Sequence, residues 1–413
     1  LNWCLPGWCV SRNFSSAVSL ISKSSDHAKV DMHNQFALYT IASILLASLV
    51  LTGCNDSPGT TGSTHVEVTG APATNGVFDA ALTQDGVGAL WMSYSAVNVS
   101  VNDPILPRVG TRIASSSNAG SAWVDAGVAP NTPQEIQVPD GAGGTTWAVW
   151  QYEVSRLLYD PYASDANMRW KLFWHRYLQA NVNGSAERLF QHGWIGVTTA
   201  ASPTGPWSNE RKLLVGTGYD VSNNSVIGAP EYVPASLASG GQLGGCAVFS
   251  EPGAVATANG IYISLKCATG ANTGKVVLLR CANNLTAASC VYRGDLLLDG
   301  EAQQFASFGQ NYDGFSGTEL VMIGTTPYLI VTPTSVDFYH GCLVFQIADL
   351  DGATLVRDVS NNPVLQRRLS GTAGSFNGAC GYTPAASSSG VIYSQLQSSA
   401  PQFRLYQSGV TLP

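Results

Sequence analysis

The sequence predicts an all-β protein, a five-bladed β-propeller with four-stranded blades, and three observations predict it. Beyond about residue 75, short β-branched and aromatic runs alternate with Gly, Asn, Asp and Pro turns, and helical periodicity is scarce. Those runs group into five units of four strands, at roughly 77–126, 155–215, 246–299, 316–360 and 376–409. Glycine is abundant, at 43 of 413 residues, and charged residues make up only 11%, a composition that suits turn-rich sheets better than helices. The fifth unit is short, and a strand near residues 65–68 would complete it and close the ring. A β-sandwich is the competing architecture, but the strands run well past sandwich length and the units repeat.

The elements follow from the N-terminus. Residues 1–31 read as a mispredicted upstream extension. A short polar stretch, 32–35, precedes an uncharged apolar run, 36–50, and then Leu51-Thr52-Gly53-Cys54. That order fits a secretory signal peptide over 32–53. Its Leu-x-Gly-Cys ending resembles the bacterial lipobox, in which Cys54 is acylated and becomes the mature N-terminus. No Lys or Arg follows Met32 in the polar part; Lys29 would supply the charge if translation began upstream. A transmembrane helix is the alternative, yet 36–53 sits at the lower length limit for crossing a bilayer. Residues 54–74, rich in Gly, Ser, Thr and Pro, read as a flexible tether, and 75–413 as the propeller domain. The expected location is exported and lipid-anchored to a bacterial membrane, periplasmic or at the cell surface.

Strand-like alternation is plain at 89–95, 170–177, 260–267 and 327–332. Two turns support the blade reading. Ser116-Ser117-Asn118-Ala119-Gly120-Ser121-Ala122-Trp123 resembles the Asp-box of sialidase-type propellers, with Asn118 in place of Asp. That motif is structural and caps the turn between a blade's third and fourth strands. Ser202-Pro203-Thr204-Gly205-Pro206-Trp207 sits at the equivalent place in the second unit, where Pro and Gly fix the turn and Trp207 packs back onto the blade.

Of nine cysteines, Cys4 and Cys9 lie upstream and Cys54 would carry lipid. The remaining six, Cys246, Cys267, Cys281, Cys290, Cys342 and Cys380, are an even set in an exported chain and read as disulfides. Six cysteines allow fifteen pairings. Local spacing favours Cys281–Cys290; Cys246–Cys267 would join neighbouring strands of one unit, leaving Cys342–Cys380 to bridge two units. No paired Cys-x-x-Cys occurs, so a zinc site is disfavoured. The formal charge is −7, and removing 1–53 leaves −8, because Arg12, Lys23 and Lys29 outnumber Asp26 and Asp31 by one. Such a surface repels phosphate backbones, so no nucleic-acid partner is expected. A monomer is expected.

Three carboxylates stand at the start of strand-like segments: Asp79 in Phe78-Asp79-Ala80-Ala81-Leu82, Asp160 in Tyr159-Asp160-Pro161, and Glu251 in Ser250-Glu251-Pro252-Gly253. They lie 81 and 91 residues apart, about one unit each time. Inner strands of a propeller converge on one funnel, so acids at the same point of successive strands meet. Cleaving a glycosidic bond needs a protonated acid and an ionised base or nucleophile on either side of it. A third carboxylate raises the pKa of the acid by like-charge repulsion.

With these motifs the chain resembles the five-bladed furanosidase and fructosidase propellers: arabinanases, β-xylosidases, invertases and levansucrases. The resemblance implies Asp79 as base, Asp160 as pKa modulator and Glu251 as acid. Pro is missing after Asp79, Tyr159 stands where invertases place Arg, and the Glu251-Pro252-Gly253 order is permuted. Each residue has a plain alternative: Asp79 and Asp160 as turn caps, Glu251 as a paired carboxylate, with Glu231 as rival acid. Trp150 and Trp170 are candidate stacking platforms for sugar rings, although alternating Trp residues equally describe blade core. The histidines are scattered and give no metal site. No cofactor is expected; some relatives hold a central cation, for which no ligand maps here.

No Gly-x-Ser-x-Gly nucleophile elbow occurs, Gly141-Ala142-Gly143-Gly144 lacks the Lys and helix of a phosphate loop, and Arg is too sparse for a sialidase carboxylate cluster. The expectation is an exported glycoside hydrolase acting on an oligo- or polysaccharide. The alternative is a non-catalytic glycan-binding or scaffold lipoprotein on the same fold.

Overall fold

The computed structural model describes residues 3–5, 8–10, 63–140, 142–218, 243, 245–270, 273–285, 289–307, 310–335, 338–369, 376–386, 388, 390–397 and 402–412. The lipobox with Cys54 and the rival Glu231 lie outside the described residues. Strands β1 (Trp3–Leu5) and β2 (Trp8–Val10) pair only with each other. Next come β3 (Thr64–Val66) and β4 (Val68–Thr69), inside the stretch expected to be tether. They are strands because main sheets recruit them: β3 pairs with the last strand of the chain, and Val66 and Val68 are buried.

Sheet one holds β5 (Val77–Gln84), β6 (Leu90–Val99), β7 (Pro107–Ser116) and β8 (Trp123–Val128), with β4 added parallel to β8. Sheet two holds β9 (Glu135–Pro139), β10 (Thr145–Tyr159), β11 (Trp170–Val182), β12 (Ser185–Ala200) and β13 (Arg211–Leu214). It begins well before residue 155, where the second unit was expected to start. Sheet three is β14 (Val248–Thr257), β15 (Gly260–Gly270), β16 (Thr273–Cys281) and β17 (Val291–Leu298). Sheet four is β18 (Gly314–Ile323), β19 (Thr326–Ser335), β20 (Phe338–Tyr339), β21 (Cys342–Asp349), β22 (Thr354–Leu355) and β23 (Leu365–Leu369). Sheet five is β24 (Phe376–Gly381), β25 (Ile392–Gln397) and β26 (Gln402–Gln407), completed by β3. Among the described residues only short 3-10 turns break the β-structure, and no described helix is long and apolar enough to cross a membrane.

The sheets stand in a cycle. Strands β5, β10, β14, β18 and β24 touch in that order, and β24 returns to β5. Apolar side chains fill each gap between neighbouring sheets. Ile113 meets Trp150 and Trp194 between sheets one and two; Phe173 and Val197 meet Phe249 and Ile263 between two and three. Val276 and Leu278 meet Leu329 and Phe345 between three and four; Ile330 and Val344 meet Val391 and Tyr393 between four and five. Leu405 and Ile392 meet Leu82 and Met92 where five returns to one. This is a propeller-like all-β arrangement: each sheet buries both faces against its neighbours. The N-terminal strand closes it, as the short fifth unit anticipated.

The two signature turns each follow the second strand beyond the inner strand of their sheet, β7 in sheet one and β12 in sheet two. Asn118 Oδ1 accepts from Ala122 N–H at 2.9 Å, and Trp123 is fully buried behind it. The Ser202–Trp207 turn lies between β12 and β13, with Trp207 packed on the core. Disulfides join Cys246–Cys267, Cys281–Cys290 and Cys342–Cys380, and the last ties sheet four to sheet five.

Candidate active site

Each inner strand carries a β-bulge at the same place. Ladder pairing skips from Phe78 to Ala81, Glu153 to Arg156, Ser250 to Gly253, Ser316 to Glu319 and Gly378 to Gly381. Two residues oppose one in each case, and the first of the two is left-handed: Asp79 at φ 54°, Val154 at 49°, Glu251 at 56°, Gly317 at 55° and Ala379 at 49°. A bulge re-aims side chains and ends regular pairing, and bulges recur beside active sites. Here the five bulges form one ring of equivalent slots, and two of the slots hold acids.

Asp79 is buried. Its N–H donates to Ser394 Oγ at 2.8 Å, fixing sheet five against sheet one. Among the described residues its carboxylate receives only distant donors, Val154 N–H at 3.3 Å and Ser95 Oγ at 3.4 Å. Burial, and then the charges of Glu153 and Glu251, push the Asp79 carboxyl well above the usual carboxylate range. Glu251 is better supplied. Ser316 Oγ and Gly317 N–H donate to its Oε2, and Tyr339 O–H to its Oε1 at 3.3 Å.

Glu153, one residue before the bulge in β10, is the third carboxylate of this cluster. It accepts from Tyr177 O–H at 2.6 Å. Burial and the Glu153 charge hold the Tyr177 hydroxyl well above its usual value; burial and Glu251 do the same to Tyr339. Arg188, from β12, faces these groups. Burial opposes its charge, but Tyr177, Glu153, Tyr339 and Glu251 outweigh that and hold it cationic. His175 stacks on Phe190 at 5.4 Å beside Tyr177, and burial followed by Arg188 lowers it to about 3, so the imidazole is neutral.

Asp160 is elsewhere. It follows the end of β10, fully buried, with Oδ2 accepting from Lys171 Nζ at 2.8 Å and Asn283 Nδ2 at 2.9 Å. The structure brings Asp79 and Glu251 together and leaves Asp160 as a buried ion pair fastening sheet two to sheet three. Trp150 and Trp170 are not sugar platforms. Both are buried: Trp150 against Trp194 at 5.1 Å and under the Arg176 guanidinium, Trp170 against Trp91 and Tyr159. A strand that packs on both faces leaves no ring face for ligand.

Sequence reasoning missed Glu153, Tyr177, Arg188 and Tyr339. A signal existed for Glu153: an acid three residues from Arg156 inside an otherwise apolar run, where charges are costly unless they have partners. Among the described residues no group of three or more His, Cys, Asp and Glu is arranged to hold a metal ion. The Arg156 guanidinium is hydrogen-bonded to carbonyls of β5, β14 and β18.

No family model and no curated protein matches the chain. Among solved structures it is similar to a thermostable family-43 glycoside hydrolase, at 14% identity over 83% of this chain and 91% of that one, with a TM-score of 0.44. An endo-arabinase from Bacteroides thetaiotaomicron gives 10% identity, 83% and 96% coverage and a TM-score of 0.44. A family-43 β-1,3-galactosidase with galactodeoxynojirimycin gives 11% identity, 83% and 93% coverage and a TM-score of 0.49.

Proposed function

We propose that the five sheets are the blades of a five-bladed propeller glycoside hydrolase, with Asp79 and Glu251 flanking the scissile bond and Glu153 as third carboxylate. One observation carries this: two acids occupy equivalent left-handed slots on the first and third inner strands, close enough that the charge of one raises the pKa of the other. The resting proton belongs on Asp79, which is buried and poorly supplied with donors. Glu251, with three donors and Arg188 nearby, suits the ionised partner. This reverses the roles implied by the sequence resemblance. Asp79 protonates the leaving oxygen, and Glu251 activates water or attacks the anomeric carbon. Glu153, anchored by Tyr177, takes the modulating role expected of Asp160. Three disulfides suit an exported chain, which is the compartment the lipobox reading requires.

A panel of aryl furanosides and pyranosides with good and poor leaving groups tests the assignment. Glu251→Gln should lose turnover of all of them by roughly 10²-fold or more. Asp79→Asn should lose the poor leaving groups and keep most of its rate on nitrophenyl glycosides, whose departure needs no proton. Full turnover in both variants sinks the assignment. The alternative, a glycan-binding lipoprotein, is favoured by the three donors already on Glu251; sugar affinity without hydrolysis of any panel member would establish it.

A further inference from the structure

The layer just beneath the bulges is unlike the layer of the carboxylates. Two residues past each left-handed slot stand Ala81, Arg156, Gly253, Glu319 and Gly381. Three are small, and their neighbours crowd in: a Cβ on Gly253 would meet Glu319 Cα at 2.7 Å, and one on Gly381 would meet Ala80 O at 2.1 Å. The space is filled by one buried ion pair reaching from β10 to β18, Arg156 to Glu319. Arg156 Nε donates to Ala254 O at 3.0 Å, Nη1 to Leu82 O at 3.1 Å as well as to Glu319, and Nη2 to Leu320 O at 3.4 Å. Leu82 lies three residues past Asp79, Ala254 three past Glu251, and Leu320 three past Gly317.

Strands β5, β10, β14 and β18 belong to different sheets, so no ladder fixes their spacing at the centre. We propose that Arg156 is the positioning residue of the carboxylate cluster: one guanidinium, tied to the strands bearing Asp79 and Glu251, that sets how far apart those two carboxyl groups stand. The idea rests on the glycosidase reading for its effect on turnover, but its geometric core does not. Guanidinium suits the task because its planar fork carries five donors for the four acceptors met here, where an ammonium has three and a thioether none. Glu319 is its partner, a carboxyl that burial pushes up to about 8 even beside the guanidinium, and Gly253 and Gly381 admit the close approach.

Arg156→Met alone would strand Glu319 as a buried unpaired charge, and such variants often unfold. The informative protein is the double variant Arg156→Met/Glu319→Met, because replacing a buried ion pair by apolar groups is frequently neutral for stability. It is compared with wild type in three readouts: thermal midpoint, kcat and KM on the best aryl glycoside, and the Asp79 titration followed by carboxyl-carbon NMR. The expected result is a folded protein with KM within about threefold and kcat down by ~100-fold, the size of loss that a misplacement of about 1 Å produces. The Asp79 titration should move with it. Arg156→Gly, with Glu319 kept, should recover part of its midpoint and of the wild-type Asp79 titration when methylguanidinium is added. An unchanged Asp79 titration in the double variant, and no response to methylguanidinium, overturns the proposal. If wild type hydrolyses nothing, the glycosidase reading has failed, and the titration and the methylguanidinium response still decide the role of Arg156.

Discussion

Asp79 meets two conditions that proteins usually avoid: a left-handed backbone and a buried carboxylate with weak donors. A non-glycine residue held in that region costs of order 1–3 kcal/mol, and such strain gathers at functional sites. Its titration adds a pH-dependent part. Because the folded-state pKa is raised, Asp79 binds its proton more tightly when folded than when unfolded. Stability from this group is therefore fully present below the unfolded carboxylate value and is lost as pH rises through the raised folded value. Asp79→Asn keeps the shape and removes the titration. Its thermal midpoint should exceed wild type at neutral and alkaline pH, with the gap closing as pH falls toward 4, near the unfolded aspartate pKa. Thermal melts across pH check this, and a wild-type midpoint at or above that of the variant at pH 8 would count against the buried, protonated carboxyl. Loss of acid catalysis together with gained stability is the expected signature of a strained functional group.

At the scale of elements, the contrast between Glu153 and Asp160 turns on one strand. Strand β10 runs for fifteen residues, from Thr145 to Tyr159, without a Gly, Pro or Asn to mark its phase. The Asp160-Pro161 pair after it reads as the start of a strand and marks its end instead. The bulge at Val154 adds one residue, so strict alternation fails where the functional side chain lies. That Asp79 and Glu251 stand at equivalent points of their strands was legible, because those strands begin close to the bulge and carry turn residues nearby. The ring-closing strand was legible because the fifth unit lacked a partner, and the Cys281–Cys290 disulfide because its cysteines lie close in the chain, whereas spacing did not by itself choose the other two pairings. Arg188 and Tyr339 were not, since each reaches the cluster from a later strand of its sheet and nothing in the local sequence reports that reach. Two variants separate the acids. Asp160→Asn leaves Lys171 buried without its charge partner and should cost roughly 3–5 kcal/mol of stability, with near-normal kcat in the folded fraction. Glu153→Gln should fold with little change and lower kcat by about 10–100-fold while moving the alkaline limb of the pH–rate profile, set by the proton on Asp79, to lower pH. Denaturant titration beside steady-state kinetics reads both, and the opposite pattern returns Asp160 to the site.

For the whole molecule, closure is the main structural requirement. Strand β3 is the fourth strand of sheet five, and at the other edge of that sheet Cys342–Cys380 ties β24 to sheet four. Deleting residues 1–67 takes the Val66 side chain out of the core between sheets five and one and bares the edge of β26. The truncated chain should melt at least several degrees lower, and reducing the disulfide should then cost more than it does in the full chain. Equal midpoints for the two chains would show that closure contributes nothing. The ring of bulges has a different consequence. Five strands present the same socket toward one axis, and the residues in them are Asp, Val, Glu, Gly and Ala. Backbone geometry is thus uncoupled from chemistry: a single codon at 154 or 379 relocates an acid around the circle without rebuilding any loop. A lineage bearing this ring can move its acids by substitution at five positions, while the strands that carry them keep their packing.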